Sequence, residues 1–149
     1  MSAAAPQPWS PLEFVRTNPW AYPSIEVLHL VGLGLVFGTL WLVELRLLGV
    51  GRRRDAADAA REALPWTLAG FALSAVTGLL LFAARAGELI ANPAFQLKMG
   101  LIALAGLNAA ILHSQGPLDP ARPGTRLQAG LSLALWVAVI AAGRFIAYV

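Results

Sequence analysis

The stretch SIEVLHLVGLGLVFGTLWLVELRLLG, residues 24–49, decides how the rest of the chain is read. A helix rises about 1.5 Å per residue, so about 20 consecutive apolar residues cross the hydrocarbon layer of a bilayer. This run is long enough to do so. It also carries His29, Glu26, Glu44 and Arg46, and an ionisable group within a spanning helix marks a functional-site candidate. His29 is therefore the first side chain to explain.

Working outward, the same character persists along the chain. Of 149 residues, 58% are apolar and 13% charged, with a mean hydropathy of +0.66, whereas a soluble domain carries about 25% charged residues. The composition is that of an integral membrane protein. No basic stretch is interleaved with aromatics, so no nucleic-acid partner is expected. With no cysteine, disulfides, thiolate metal sites and cysteine nucleophiles are excluded.

Residues 1–23 contain Pro6, Pro8, Pro11, Pro19 and Pro23 among Trp9, Phe14, Trp20 and Tyr22. They lack the layout of a signal peptide, and their aromatics suit the headgroup layer. An interfacial helix is expected within Pro11 to Thr17, capped by Ser10. Beyond the first span comes a charged connector with Arg52, Arg53, Arg54, Asp55, Asp58, Arg61 and Glu62. A second span is expected at about 64–84 with Pro65 in its first turn, a third at about 94–113, and a fourth at about 127–147. Gly34 and Gly38, then Gly70, Ser74 and Gly78, then Gly130, Ala134, Ala138 and Ala142 form small-residue stripes on which helices approach closely.

Four spans with short connectors predict one all-α membrane domain over 1–149, an up-down-up-down four-helix bundle with an N-terminal interfacial segment. Arg46, Arg52, Arg53, Arg54, Arg61, Arg122 and Arg126 flank connectors one and three, against Arg16, Arg85, Lys98 and Arg144 at the opposite ends. Basic residues are retained in the cytoplasm, which places both termini in the periplasm if the membrane is a bacterial inner membrane. The number of small-residue stripes suits a homo-oligomer or a larger membrane complex.

Depth then decides which polar groups share a site. His29 and Lys98 each lie about one turn inside the outer end of spans one and three, which run in the same direction. His113 stands 15 residues beyond Lys98, more than about 20 Å along the helix, so it is no partner for His29. The outer layer holds Glu26, His29, Arg85, Glu88, Lys98 and Arg144. The inner layer holds Glu44, Arg46, Asn108 and His113, with Glu44 and Arg46 read as interfacial anchors and His113 as a cap or headgroup contact. Histidine is both a metal ligand and a haem axial ligand. The bland alternative for His29 is an interhelical hydrogen bond to a serine or a carbonyl, and for Lys98 it is snorkelling to the headgroups.

Residues 22–49, 64–82 and 92–113 resemble an uncharacterised bacterial family of four-helix inner-membrane proteins, in which an acidic residue precedes Leu-Arg-Leu-Leu-Gly; here it is Glu44. The pairing of His29 with Lys98 is similar to that of the HemJ-type protoporphyrinogen oxidases, although span one here ends in LRLLGVG rather than an aromatic, histidine-containing segment. It is also similar to CopD-like membrane domains and small membrane b-type cytochromes.

These resemblances and the depth match together imply a small haem b protein for electron transfer or haem-linked oxidation. His29 is the expected axial iron ligand, with Lys98 as second ligand or propionate partner. Arg85 and Arg144 are expected near the propionates, and Gly32, on the His29 face, is expected to leave space for the macrocycle. Copper held by His29 and Glu26, and a structural subunit without a cofactor, are the alternatives.

Overall fold

The computed structural model describes residues 11–51, 56–116 and 118–149. It contains α1 (Pro11–Thr17), α2 (Ala21–Leu47), α3 (Ala56–Ala84), α4 (Ala86–Ala91), α5 (Pro93–Ser114) and α6 (Pro123–Phe145). The protein is all-α, and α2, α3, α5 and α6 are each long and apolar enough to cross a membrane. The expected cap Ser10 lies outside the described residues.

Local chemistry sets the ends of these helices. The Asn18 side chain accepts from the backbone N–H groups of Trp20 at 2.9 Å and Ala21 at 3.2 Å, covering donors that the start of α2 leaves free. At the other end, Gly49 has φ +95°, and Gly49 N and Val50 N donate to Arg46 O and Leu45 O. This six-to-one and five-to-two pattern needs a left-handed residue, which glycine supplies without a Cβ penalty. Asn92 caps α5 by accepting from Phe95 N at 3.0 Å, with Pro93 in the first turn, where its missing N–H is harmless.

One boundary differs from the expectation. The second spanning helix starts at Ala56, not near Leu64, so Pro65 lies inside α3 instead of in its first turn. Ala56, Ala59 and Ala63 recur on one buried face, and alanine is the strongest helix former. Asp58 and Arg61 remain exposed and pair at 2.9 Å. The charged connector is thus partly an extension of α3 beyond its apolar run.

Packing is organised by α2. It lies along α3 for most of its length and also contacts α6, and α6 pairs with α5. Among the described residues no close backbone approach links α3 with α5 or α6, or α2 with α5. The α2–α3 crossing is tight because two glycines meet. A Cβ on Gly32 would stand 2.5 Å from Ser74 Oγ and 2.9 Å from Gly70 O, and one on Gly70 would stand 2.7 Å from Leu35 Cβ. Further along, Thr67 Oγ1 donates to Thr39 Oγ1 at 2.7 Å.

Most large apolar side chains point away from the helices' mutual contacts, Leu79 being 67% and Leu127 74% exposed. That outward apolar surface suits lipid, in which a helix needs no polar outer face. The structure is that of a multi-pass membrane protein.

Two stripes behave differently from their sequence reading. A Cβ at Gly34, Gly38 or Gly130 would meet nothing within 4 Å. The buried side of α6 is formed by Thr125, Ala129, Ser132, Val139 and Ala142, with Ala134 exposed. The stripe of Gly70, Ser74 and Gly78 is the one that takes α2.

Candidate functional site

His29 sits on the face of α2 that α3 covers, opposite Gly78. A Cβ added at Gly78 would lie 3.1 Å from His29 Cε1, so glycine is what lets the imidazole ring lie flat against α3. Its Nδ1 atom is 3.0 Å from Ser74 O and 3.1 Å from Thr77 Oγ1. A carbonyl oxygen only accepts, so the contact with Ser74 O requires the proton on Nδ1. The Thr77 hydroxyl already donates to Leu73 O at 2.6 Å, which leaves its lone pairs facing the ring. Both contacts are met with a proton on Nδ1, and in a neutral imidazole that tautomer leaves the Nε2 lone pair free. Histidines that bind metals are oriented in this way, donating from one nitrogen and ligating with the other.

Lys98 arrives from α5. Its side chain runs over Gly143 of α6, where an added Cβ would be 3.4 Å from Nζ and 3.6 Å from Cε. The side chain is half-buried and forms no ion pair among the described residues. The structure thus gathers His29 and Lys98 at one end of the bundle even though α2 and α5 do not touch directly.

An aromatic pair completes this end. Phe82 and Phe95 stack with centroids 5.5 Å apart and planes 11° from parallel, bridging α3 and α5. Phe82 follows Gly78 by four residues and Phe95 precedes Lys98 by three, so each ring shares a helix face with its site residue. Thr77, Phe82, Phe95 and Gly143 carry no motif. Only knowledge of which helices pair, and in what register, marks them.

Arg85 and Arg144 lie at the same end but are exposed and engaged locally. Arg85 Nε donates to Glu88 Oε2 at 3.0 Å, and the guanidinium stands 5.9 Å from the Tyr22 ring centroid. The Glu88 carboxylate, followed by Tyr22, pushes the Arg85 guanidinium further above its ordinary range. Arg144 Nη2 donates to Tyr148 Oη at 2.7 Å. Glu26 is exposed. Gly32 is buried in the α2–α3 crossing, so the space expected beside it for a flat macrocycle is filled by Ser74 and Gly70.

The inner end differs from its sequence reading. Glu44 is 5% exposed and faces the helices instead of anchoring at an interface. Arg46 does reach outward, donating to Gly51 O, as expected of residues two apart that do not share a face. His113 is exposed and hydrogen-bonds Ala109 O at 2.8 Å within its own last turns.

Among the described residues no three His, Cys, Asp or Glu side chains converge in a way that would hold a metal ion. No family model, curated protein or solved structure matches this chain.

Proposed function

We propose that the protein is a small b-type haem protein of a bacterial inner membrane, serving electron transfer or a haem-linked oxidation. His29 would hold the haem iron through Nε2. The observation that supports this reading is the His29 hydrogen bond to Ser74 O, which places a proton on Nδ1 and in the neutral ring would leave Nε2 available to a metal. Haem bound there supplies one-electron chemistry. The chain's own residues orient the imidazole, through Ser74 and Thr77.

Lys98 fits the role of propionate partner, being a half-buried cation without a carboxylate of its own among the described residues. Arg85 and Arg144 would reach propionates only by giving up their contacts with Glu88 and Tyr148. Because Gly32 is closed off by α3, a haem held by His29 would not lie against Gly32. The excess of arginines on connectors one and three supports periplasmic termini.

Full-length protein purified in mild detergent, with haem supplied during expression, tests this reading. The expected result is a Soret band with reduced α and β bands, lost in His29→Ala and retained in His113→Ala. A Soret band unchanged by His29→Ala, or none in protein loaded with excess haem, overturns it. Stoichiometric copper retained through His29 in place of haem would establish the metal-handling alternative. Wild-type cellular behaviour of a His29→Ala, Lys98→Ala double variant would favour a structural subunit.

A further inference from the structure

At the end of the bundle away from His29, three spanning helices contribute buried polar groups to one layer. They are Glu44 of α2, Asn108 of α5 and Ser132 of α6, which are 5%, 7% and 5% exposed. Asn108 Nδ2 donates to the backbone oxygen of Gln128 at 3.0 Å, tying α5 to α6. Ser132 is carried by α6, which packs against α2, the helix of Glu44. Among the described residues two buried oxygens in this region find no hydrogen-bond partner, Glu44 Oε2 and Gln128 Oε1. Gln128 precedes Ser132 by four residues and so shares its helix face.

Both unpartnered atoms are acceptors as they stand. A carboxylate buried without a cation is among the most unfavourable groups a protein can hold, and a buried acceptor without a donor adds to it. The described charges at this end are placed elsewhere, Arg122 donating to Gln115 O at 2.9 Å and standing 3.7 Å from Asp119. On α2, Arg46 donates to Gly51 O. On α6, Arg126 donates to Leu48 O at 3.4 Å. On α5, His113 bonds Ala109 O. On α3, Arg61 pairs with Asp58 and Glu62 is exposed. Among the described residues none of them forms an ion pair with Glu44.

Protonation removes the charge of Glu44 and turns its carboxyl into a donor. We infer that Glu44 is a proton-binding site, a carboxyl held in its neutral form within the spanning bundle by the polar layer of Ser132, Gln128 and Asn108. It stands 15 residues from His29 along α2, about 22 Å at 1.5 Å per residue. It shares no residue with the proposed haem site, and each can fail without the other.

The test uses the full chain in phosphatidylcholine vesicles treated with dicyclohexylcarbodiimide, an apolar reagent that modifies protonated carboxyls, followed by peptide mass mapping. An ordinary glutamate near 4.3 has only about 1 in 500 molecules protonated at pH 7. The expected result is a single adduct on Glu44 at pH 7, within about tenfold of its level at pH 5, while Glu26, Glu88, Asp58 and Glu62 stay unmodified. An infrared difference spectrum against Glu44→Gln provides a second readout that needs no reagent access. It is expected to show the carbonyl stretch of a neutral carboxylic acid at pH 7, lost in the variant and lost as pH rises. A carboxylate signature at pH 7 overturns the inference. So does protection by sodium but not by choline at equal ionic strength, which would make the site one for a hard monovalent cation. If Glu44→Gln does not fold, mapping of the wild-type adduct decides the residue.

Discussion

The two seams that α2 makes with its neighbours are built on opposite terms. Against α3 the backbones close on Gly32 and Gly70, and the polar side chains that cross are mostly satisfied. His29 is held by Ser74 O and Thr77, and Thr39 by Thr67. Ser74 Oγ, wedged against Gly32, is the exception. Against α6 the approach is less extensive, and Glu44 sits there with one carboxyl oxygen unmatched. In lipid the apolar surfaces of helices gain nothing by leaving water, so close packing and interhelical hydrogen bonds hold the fold. The α2–α3 seam supplies both. It fixes the orientation of the His29 ring, whereas the α2–α6 seam holds a buried carboxyl that the described residues do not fully match.

This contrast can be broken most severely at Gly32. Replacing it with valine forces a Cβ against Ser74 Oγ and Gly70 O, and overpacking of this kind typically destabilises by about 1–3 kcal/mol. Thermal unfolding in detergent should show the loss, and the His29 ring should leave Ser74 O. An unaltered Tm would mean that α2 and α3 are not packed on their glycines.

Next in size is Thr77→Val, which removes an acceptor from His29 Nδ1 and leaves Ser74 O in place. Interhelical hydrogen bonds in membranes average about 0.6 kcal/mol and reach about 1.7, and the denaturant midpoint should fall by that order. A Thr77→Ser control should restore most of it.

The third test uses the outward face of α2, which belongs to neither seam. Alanine at Gly34 and Gly38 meets nothing and removes glycine's helix penalty, so each is expected to be neutral or stabilising by up to about 1 kcal/mol. Destabilisation, or a changed sedimentation profile, would show that another copy of the chain covers this face.

Smallest is Asp58→Ala, which breaks an exposed pair with Arg61 outside both seams. Such i,i+3 pairs contribute about 0.3–0.5 kcal/mol and are screened by salt. A larger effect would mean that the extension of α3 below its apolar run bears more of the stability than its exposure implies.

Spans, connectors and the alignment of His29 with Lys98 in depth were legible in the sequence because they depend on hydropathy, helical rise and alternation of direction. The helix Pro11–Thr17 was legible too. The start of α3 was not, because Ala56, Ala59 and Ala63 pack through a face that a charged sequence masks. Glu44 was read as an anchor because hydropathy reports depth but not rotation about the helix axis. The same blindness made Gly34 and Gly38 look like a packing face when α3 in fact takes Gly32. Thr77 and the Phe82–Phe95 pair depend on register between helices, for which no single helix carries a signal. The chemistry at His29 was half legible: a hydrogen bond to a carbonyl and a metal-ligand role stood as rivals. The structure shows the first, with Nδ1 bonded to Ser74 O across α2 and α3, and the second stands as the proposal.

The central claim is that His29 donates from Nδ1 and presents a bare Nε2. Nitrogen-15 chemical shifts of the His29 ring, measured on histidine-labelled full-length protein in lipid bilayers without added haem, report the two nitrogens separately. The account predicts a protonated Nδ1 and an unprotonated Nε2, with the Nδ1 signal moving in Thr77→Val. A proton on Nε2, with Nδ1 acting as acceptor, would contradict it and remove the basis for His29 as an axial ligand.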